Sequence, residues 1–499
     1  MGQDNVSLLV MTPPAESTKN LTAVTNETSQ WCFFCLLIVS LKFVLLALDP
    51  LPKLFMGDSG SYIWTALSGW IPPDRSYFYG YVIRWSSVWT GSLTSLLVLQ
   101  VFASAGTAVI VAGICRSIFE MQIKLCFLLG FFCAVDPLQL VWERYVLTET
   151  LSLLVYVSVL YWSFHYLKER RIRDLIIVQG ISVLLIGFRM SYLLVVQVSA
   201  FILPIVAFYP VLLRTGKSLL KRSPLAGSLR LLSLHLLVSV AIMFAFHSAY
   251  KRLNGLMSQQ QPAYLYASGL SILSFWAPAL LPEDATDPRL AQIIRQGKEF
   301  NIGDLNSRNA QCFFPGGLVD RWLKAEPDFS RANKVARQTA LRTLKRNPAA
   351  IMALAVKTYR EYWSVSSMKR YARVELEHGD ITSQVPILAE RFHWATPLNN
   401  TKKPFSLAQR YLLGSWPYWF LLLVTPVICG IALLRRLNPR HLIFLFVHAS
   451  VLLAVITTLA PQPSVRYLQP LSLLTILSLA VCIHAILSRR SAARSVLPS

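Results

Sequence analysis

A chain of 499 residues that is 54% hydrophobic and only 15% charged, with a mean hydropathy of +0.48, is too apolar for an ordinary soluble protein, in which about a quarter of residues are charged. Its 48 lysines and arginines against 25 acids give a formal charge of +23, a sign that suits nucleic acid. Much of that excess lies in short loops between apolar runs, where it sets topology and meets anionic headgroups, so a nucleic-acid partner is not expected and a multi-pass membrane protein is.

In chain order, the first 30 residues are polar and lack the basic n-region of a signal peptide, which reads as a retained cytoplasmic tail. Runs of the roughly 17 to 25 apolar residues that a crossing helix needs follow near 31–48, 93–115, 123–141, 148–166, 174–188, 191–212 and 231–249. Three more lie at 411–434, 441–459 and 468–487, predicting an all-α polytopic protein of about ten transmembrane helices. The basic segments KERRIRD (168–174), RTGKSLLKRSPLAGSLR (214–230), LRRLNPRH (434–441) and SRRSAAR (488–494) place those loops and both termini in the cytoplasm. The expected organisation is a tail at 1–30, a seven-span membrane core at 31–249 with a first outer loop at 49–92, an extracytoplasmic domain at 250–408, three spans within 409–488 and a cytoplasmic tail at 489–499.

The domain at 250–408 reads as mainly helical. Its stretch DFSRANKVARQTALRTLKRNPAAIMALAVKTYREYWS predicts two helices divided at Asn347–Pro348, since proline ends one helix and opens the next. It carries 22 lysines and arginines against 13 acids, which suits an anionic lipid substrate and equally a solvated surface. Of eight cysteines only Cys312 lies there, so no disulfide framework is expected. The pair Cys32 and Cys35 sits in an apolar run without a second ligand pair and reads as small packing residues.

The segments at the outer ends of the spans hold the candidate chemistry. The first loop contains MGDSGSY and then DRSYFYGYVIRW, with Asp58, Tyr62, Asp74, Arg75 and Arg84; its tyrosines and tryptophans suit an interfacial position. The stretch WERYVLTET before the fourth span holds Glu143 and Arg144, readable as a solvated interfacial pair, and Glu149 at the lip of the apolar run, where a carboxylate needs a cavity or a partner. Arg189 in GFRMSY and Arg466 in SVRYLQP face the same constraint. Two acids, Asp58 and Glu149, and four arginines, Arg75, Arg84, Arg189 and Arg466, thus converge on one membrane face. That set suits sugar transfer from a polyprenyl phosphate: arginines stabilise the departing phosphate, and a carboxylate takes the proton of the attacking hydroxyl or amine. No Walker loop, GxGxxG or histidine and cysteine ligand set is present, so neither nucleotide cofactor nor metal is expected. The bland readings are a helix cap for Asp58, a structural ion pair for Glu149, and snorkelling to lipid phosphates for Arg75 and Arg84.

At these residues the sequence resembles the integral-membrane glycosyltransferases of the GT-C type, which include protein O-mannosyltransferases and lipid A aminoarabinose transferases. The resemblance spans most of the chain and rests on the acid in GDSGSY followed by DRSYFYGY, on RYVLTETLSLL, on GISVLLIGFR and on RYLQP. It implies Asp58 as the base, Glu149 as a second acid near donor or acceptor, and Arg466 and Tyr467 near the donor phosphate. It implies also a lipid-linked sugar donor and a glycan, lipid or protein acceptor, at the outer face of what is expected to be a bacterial inner membrane. Asp58 is followed by Ser59 where protein mannosyltransferases carry paired acids, which points away from a protein acceptor. The alternative in another class is a transporter or flippase of a lipid-linked sugar. Transporters place charges near the midplane and carry inverted repeats, whereas these charges fall at span ends and no repeat is found. A noncatalytic scaffold with a ligand-binding domain is the third reading.

Overall fold

The computed structural model describes residues 15–216, 222–377, 385–393, 405–435, 437 and 439–494. Among them the chain is helical and forms no strand; the nearest approach to one is a single parallel bridge between Lys53 and Tyr145. The first half holds α1 (Ala15–Leu48), α2 (Met56–Ser68), α3 (Phe78–Ile83), α4 (Thr94–Ser117), α5 (Ile123–Ala134), α6 (Pro137–Trp142), α7 (Glu149–Glu169), α8 (Ile172–Phe188), α9 (Leu193–Gly216) and α10 (Arg222–Ser258). An inserted group follows: α11 (Ser268–Phe275), α12 (Pro288–Arg295), α13 (Arg308–Phe313), α14 (Leu318–Ala325), α15 (Phe329–Arg346), α16 (Pro348–Tyr362), α17 (Val365–Leu376) and α18 (Val385–Phe392). The chain closes with α19 (Leu407–Gly414), α20 (Trp416–Leu423), α21 (Thr425–Leu434), α22 (Pro439–Thr458) and α23 (Gln469–Arg494).

Among the described residues seven helical stretches are long and apolar enough to cross a membrane: Asn26–Leu48 in α1, α4, α7, Met190–Tyr209, Gly227–Ser258 in α10, α22, and Val465–Ser488. The pair α20 and α21, bent by 48° where Pro426 interrupts it, makes an eighth if taken as one span. The run at 123–141 divides because Asp136 accepts hydrogen bonds from the Leu138 and Gln139 N–H groups and Pro137 opens a new helix. At 12 and 17 residues, α5 and α8 reach about 18 Å and 26 Å, short of a hydrocarbon core of about 30 Å. Seven or eight of the described helices are therefore long and apolar enough to span, against ten apolar runs in the sequence.

Burial sorts the bundle. Only 17% of the most apolar stretch of α10 and 22% of that of α1 lie inside the protein, against 72% for α7, so α7 is central while the others present apolar side chains such as Leu36, Phe33, Leu237 and Phe244 outward. That is the arrangement lipid solvation allows and water does not. The inserted helices have an apolar core of their own around Leu273, Leu290, Leu318, Trp322 and Ala336. The expected helix break is there: Asn347 caps α16 by accepting from the Ala350 N–H at 3.0 Å. The insert docks on the end of α22, where the Trp276 indole donates to the Thr458 carbonyl (2.9 Å) and buried Arg308 to the Ala460 carbonyl (3.3 Å).

Within the segment 49–92 the chain forms helices α2 and α3. Tyr62, Tyr77 and Tyr79 are buried, whereas Leu51 and the tryptophans, Trp85 and Trp89 above all, are exposed. Helices α2 and α3 approach so closely at Gly80 that a Cβ there would sit 2.5 Å from Thr65, and Gly69 ends α2 in the left-handed region at φ 78°.

Candidate active site

The site is assembled from helix ends. The chain leaving α1 runs beside the turn that begins α7: the Lys53 N–H donates to the Arg144 carbonyl (2.7 Å) and the Val146 N–H to the Lys53 carbonyl (2.8 Å). The buried Ser59 hydroxyl accepts from the Phe55 N–H and donates to the Val146 carbonyl, each at 2.8 Å, stapling the first turn of α2 to the same place. Asp58, in the first turn of α2, and Glu149, the first residue of α7, are thereby brought to one end of the bundle. Arg189, at the end of α8, and Arg466, in the 3-10 turn Val465–Leu468 that leads into α23, meet them there.

Five of the sequence-predicted residues form one charged chain. Asp58 Oδ1 lies 2.6 Å from Arg75 Nη1, and Asp58 Oδ2 accepts from Arg466 Nη1 at 2.8 Å. The same Arg466 guanidinium places Nε 3.1 Å from Glu149 Oε1, and Arg189 Nη1 lies 3.6 Å from that oxygen. Asp74, on the far side of Arg75, takes Nη2 at 2.6 Å. Aromatic rings flank the cations: Arg466 lies 4.4 Å from the centroid of Phe55 and 5.3 Å from that of Tyr467, Arg189 5.5 Å from Tyr467, and Arg75 5.7 Å from Tyr62. Three arginines and three carboxylates thus balance in a site whose members are mostly shielded; Asp58 keeps 24% of its side chain exposed against 2% for Glu149.

The helix-cap reading of Asp58 fails on this geometry. The residue before α2 is Phe55, no side chain caps the helix, and both Asp58 oxygens are committed to arginines. Burial pushes the Asp58 carboxyl up, but Arg75 and Arg466 outweigh it and hold the group well below the usual carboxylate range. The helix N-terminus favours the anion further.

Arg84 does not join the site. Its Nε donates to the Ala66 carbonyl at 2.6 Å and Nη2 to the Leu67 carbonyl at 3.4 Å, so it satisfies the last carbonyls of α2. Glu143 and Arg144 are not a solvated pair either. Both are buried and 3.1 Å apart, and Glu143 also meets Lys42 Nζ of α1 at 2.9 Å, with both of those side chains fully inaccessible. A lysine in the apolar run IVSLKFVLLAL was the signal for that pairing, because a charge at such depth requires a counter-charge.

The residue that sequence reasoning missed is Glu375. On α17, Met368, Tyr371, Ala372, Glu375 and Leu376 share the buried face, and Glu375 occupies a position that helical spacing gives to an apolar side chain. Its carboxyl faces the Ser464 hydroxyl and the Arg466 N–H. Burial pushes it up to about 7, with nearby Glu149 adding to the rise and Ser464 and Arg466 opposing it.

A cavity of about 270 Å³ opens on the adjoining face of α2, lined by Gly57, Ser61, Trp64 and Trp70 and closed by Ile387 and Leu388 of α18. A Cβ at Gly57 would meet nothing within 4 Å, so space lies beside the residue preceding Asp58. Among the described residues no group of three or more histidines, cysteines or acids is placed to hold a metal ion. No family model matches the chain, and no curated protein matches it.

Proposed function

We propose that this protein is a membrane glycosyltransferase that moves a sugar from a polyprenyl-phosphate donor to an extracytoplasmic acceptor by single displacement. The observation that carries the reading is the Asp58–Arg466–Glu149 bridge, a guanidinium held between two carboxylates at one end of an apolar bundle. Arg75, Arg189 and Arg466 would take the donor phosphate as it departs, because guanidinium groups stabilise charge that develops on phosphate oxygens. In the resting site Asp58 is a weak base, since two arginines stabilise its anion. A phosphate that draws those arginines away returns Asp58 toward ordinary carboxylate basicity, so donor binding arms the base that deprotonates the acceptor. The cavity beside α2, lined by Gly57, which precedes that base in the chain, and by Trp64 and Trp70, would take a sugar ring.

The test is release of free polyprenyl phosphate from labelled lipid-linked sugars by purified protein supplied with cell-envelope extract, comparing wild type with Asp58→Asn. Sugar transfer by the wild type, lost in a folded variant that still binds donor, supports the reading. Equal turnover by the two proteins removes Asp58 from the chemistry. Movement of intact donor across vesicle membranes without cleavage assigns the protein to transport instead.

A further inference from the structure

The helices inserted between α10 and α19 grip the turn that presents Arg466. Tyr362, fully buried on α16, accepts from the Ser464 N–H at 3.2 Å. Glu375, buried on α17, lies beside Ser464 and the Arg466 N–H, and neither its Oε2 nor the Ser464 Oγ has a hydrogen-bond partner. The position of α17 is fixed independently: the Leu376 carbonyl accepts from the Tyr145 hydroxyl at 2.8 Å and from the Gln409 side chain at 3.0 Å. The titratable and charged groups around Glu375 are Tyr145, Glu149, Tyr362 and Arg466, of which Arg466 alone is a cation. A glutamine would fill the same volume against the same neighbours; what the glutamate adds is an ionisable proton next to the arginine that bridges Asp58 and Glu149.

We propose that Glu375 is a positioning residue whose protonation sets the anion affinity of the arginine site. Protonated, it braces the turn and leaves Arg466 to Asp58, Glu149 and an incoming anion. Ionised, it is a further carboxylate competing for Arg466, and the site loses one unit of positive charge. The proposal rests on reading the arginines as an anion site. Burial, which pushes its carboxyl up to about 7, places the change within an ordinary working range.

The experiment measures sulfate binding to the full-length protein in detergent near pH 6 and near pH 8, for wild type and Glu375→Gln, with thermal unfolding followed in parallel. Sulfate is the probe because its charge is constant between those values. The expected result is wild-type binding weaker by roughly fivefold or more at the higher pH, the effect of one charge close to the site. Glu375→Gln is expected to bind at both values as the wild type does at the lower. The same pH dependence in both proteins overturns the proposal, as does a variant that binds more weakly than wild type near pH 6. If the variant does not fold, wild-type binding that is independent of pH overturns it. If neither protein binds sulfate, the anion reading fails and the coupling with it. In that case a wild-type unfolding temperature that still falls with pH relative to the variant shows Glu375 titrating, and locates the failure at the arginines.

Discussion

Arg466 Nη1 stands 2.8 Å from Asp58 Oδ2 across 408 positions of sequence, and the same guanidinium turns its Nε to Glu149. A planar fork can serve two carboxylates at once, and a lysine ammonium on a flexible stem cannot hold that geometry. Arg466→Lys is therefore expected to keep the fold and lower turnover of a lipid-linked donor by about 10²-fold or more. Single-turnover kinetics beside an unfolding curve check both halves; a variant of near-normal rate would show that the bridge is structural alone.

The arginines also fix the sign of a pH effect. Because they hold Asp58 below its unfolded-state value, its ion pairs contribute stability that is fully present above about pH 4, the ordinary carboxylate value, and is lost as pH falls further. Asp58 stays ionised throughout mild acid, so any decline in rate between about pH 5 and 7 belongs to another group. Asp58→Asn should lower the rate by about 10²- to 10⁴-fold without changing the shape of the profile in that window, measured as initial rate against pH.

Arg75 and Arg84, nine residues apart in the same loop, separate by role. Arg75→Ala leaves Asp58 and Asp74 without their shared cation and is expected to abolish most activity. Arg84→Ala removes hydrogen bonds to the carbonyls that end α2, at about 1.5–3 kcal/mol for a charged donor, and should lower the unfolding temperature while turnover stays within a few-fold of wild type. Parallel melting and rate measurements distinguish them.

The buried Lys42–Glu143 pair joins α1 to the turn before α7 with no solvent access. Lys42→Met strands a carboxylate beside Arg144 alone and is expected to destabilise by about 3–5 kcal/mol, and adding Glu143→Gln should recover part of that loss. A double-mutant cycle in denaturant-induced unfolding reads the coupling; additive effects would contradict it.

The sequence by itself determined that the chain is helical and membrane-sized, because apolar run length and backbone hydrogen bonding in lipid leave no other solution. It also determined the break at Asn347–Pro348, where one proline and one cap residue act within a single turn. Asp58, Arg75, Glu149, Arg189 and Arg466 were legible because a charge at the edge of an apolar run demands a partner. Which partner was not legible. Arg84 and Arg75 look alike in sequence, and only the closeness of α2 and α3 at Gly80 turns one toward carbonyls while the other meets Asp58. Glu375 was hidden because its acidity is decided by burial against a turn about ninety residues later in the chain, and the partner of Lys42 because Glu143 lies 101 positions away. Local chemistry sets which side chains need a partner; long-range packing alone decides which partner they find.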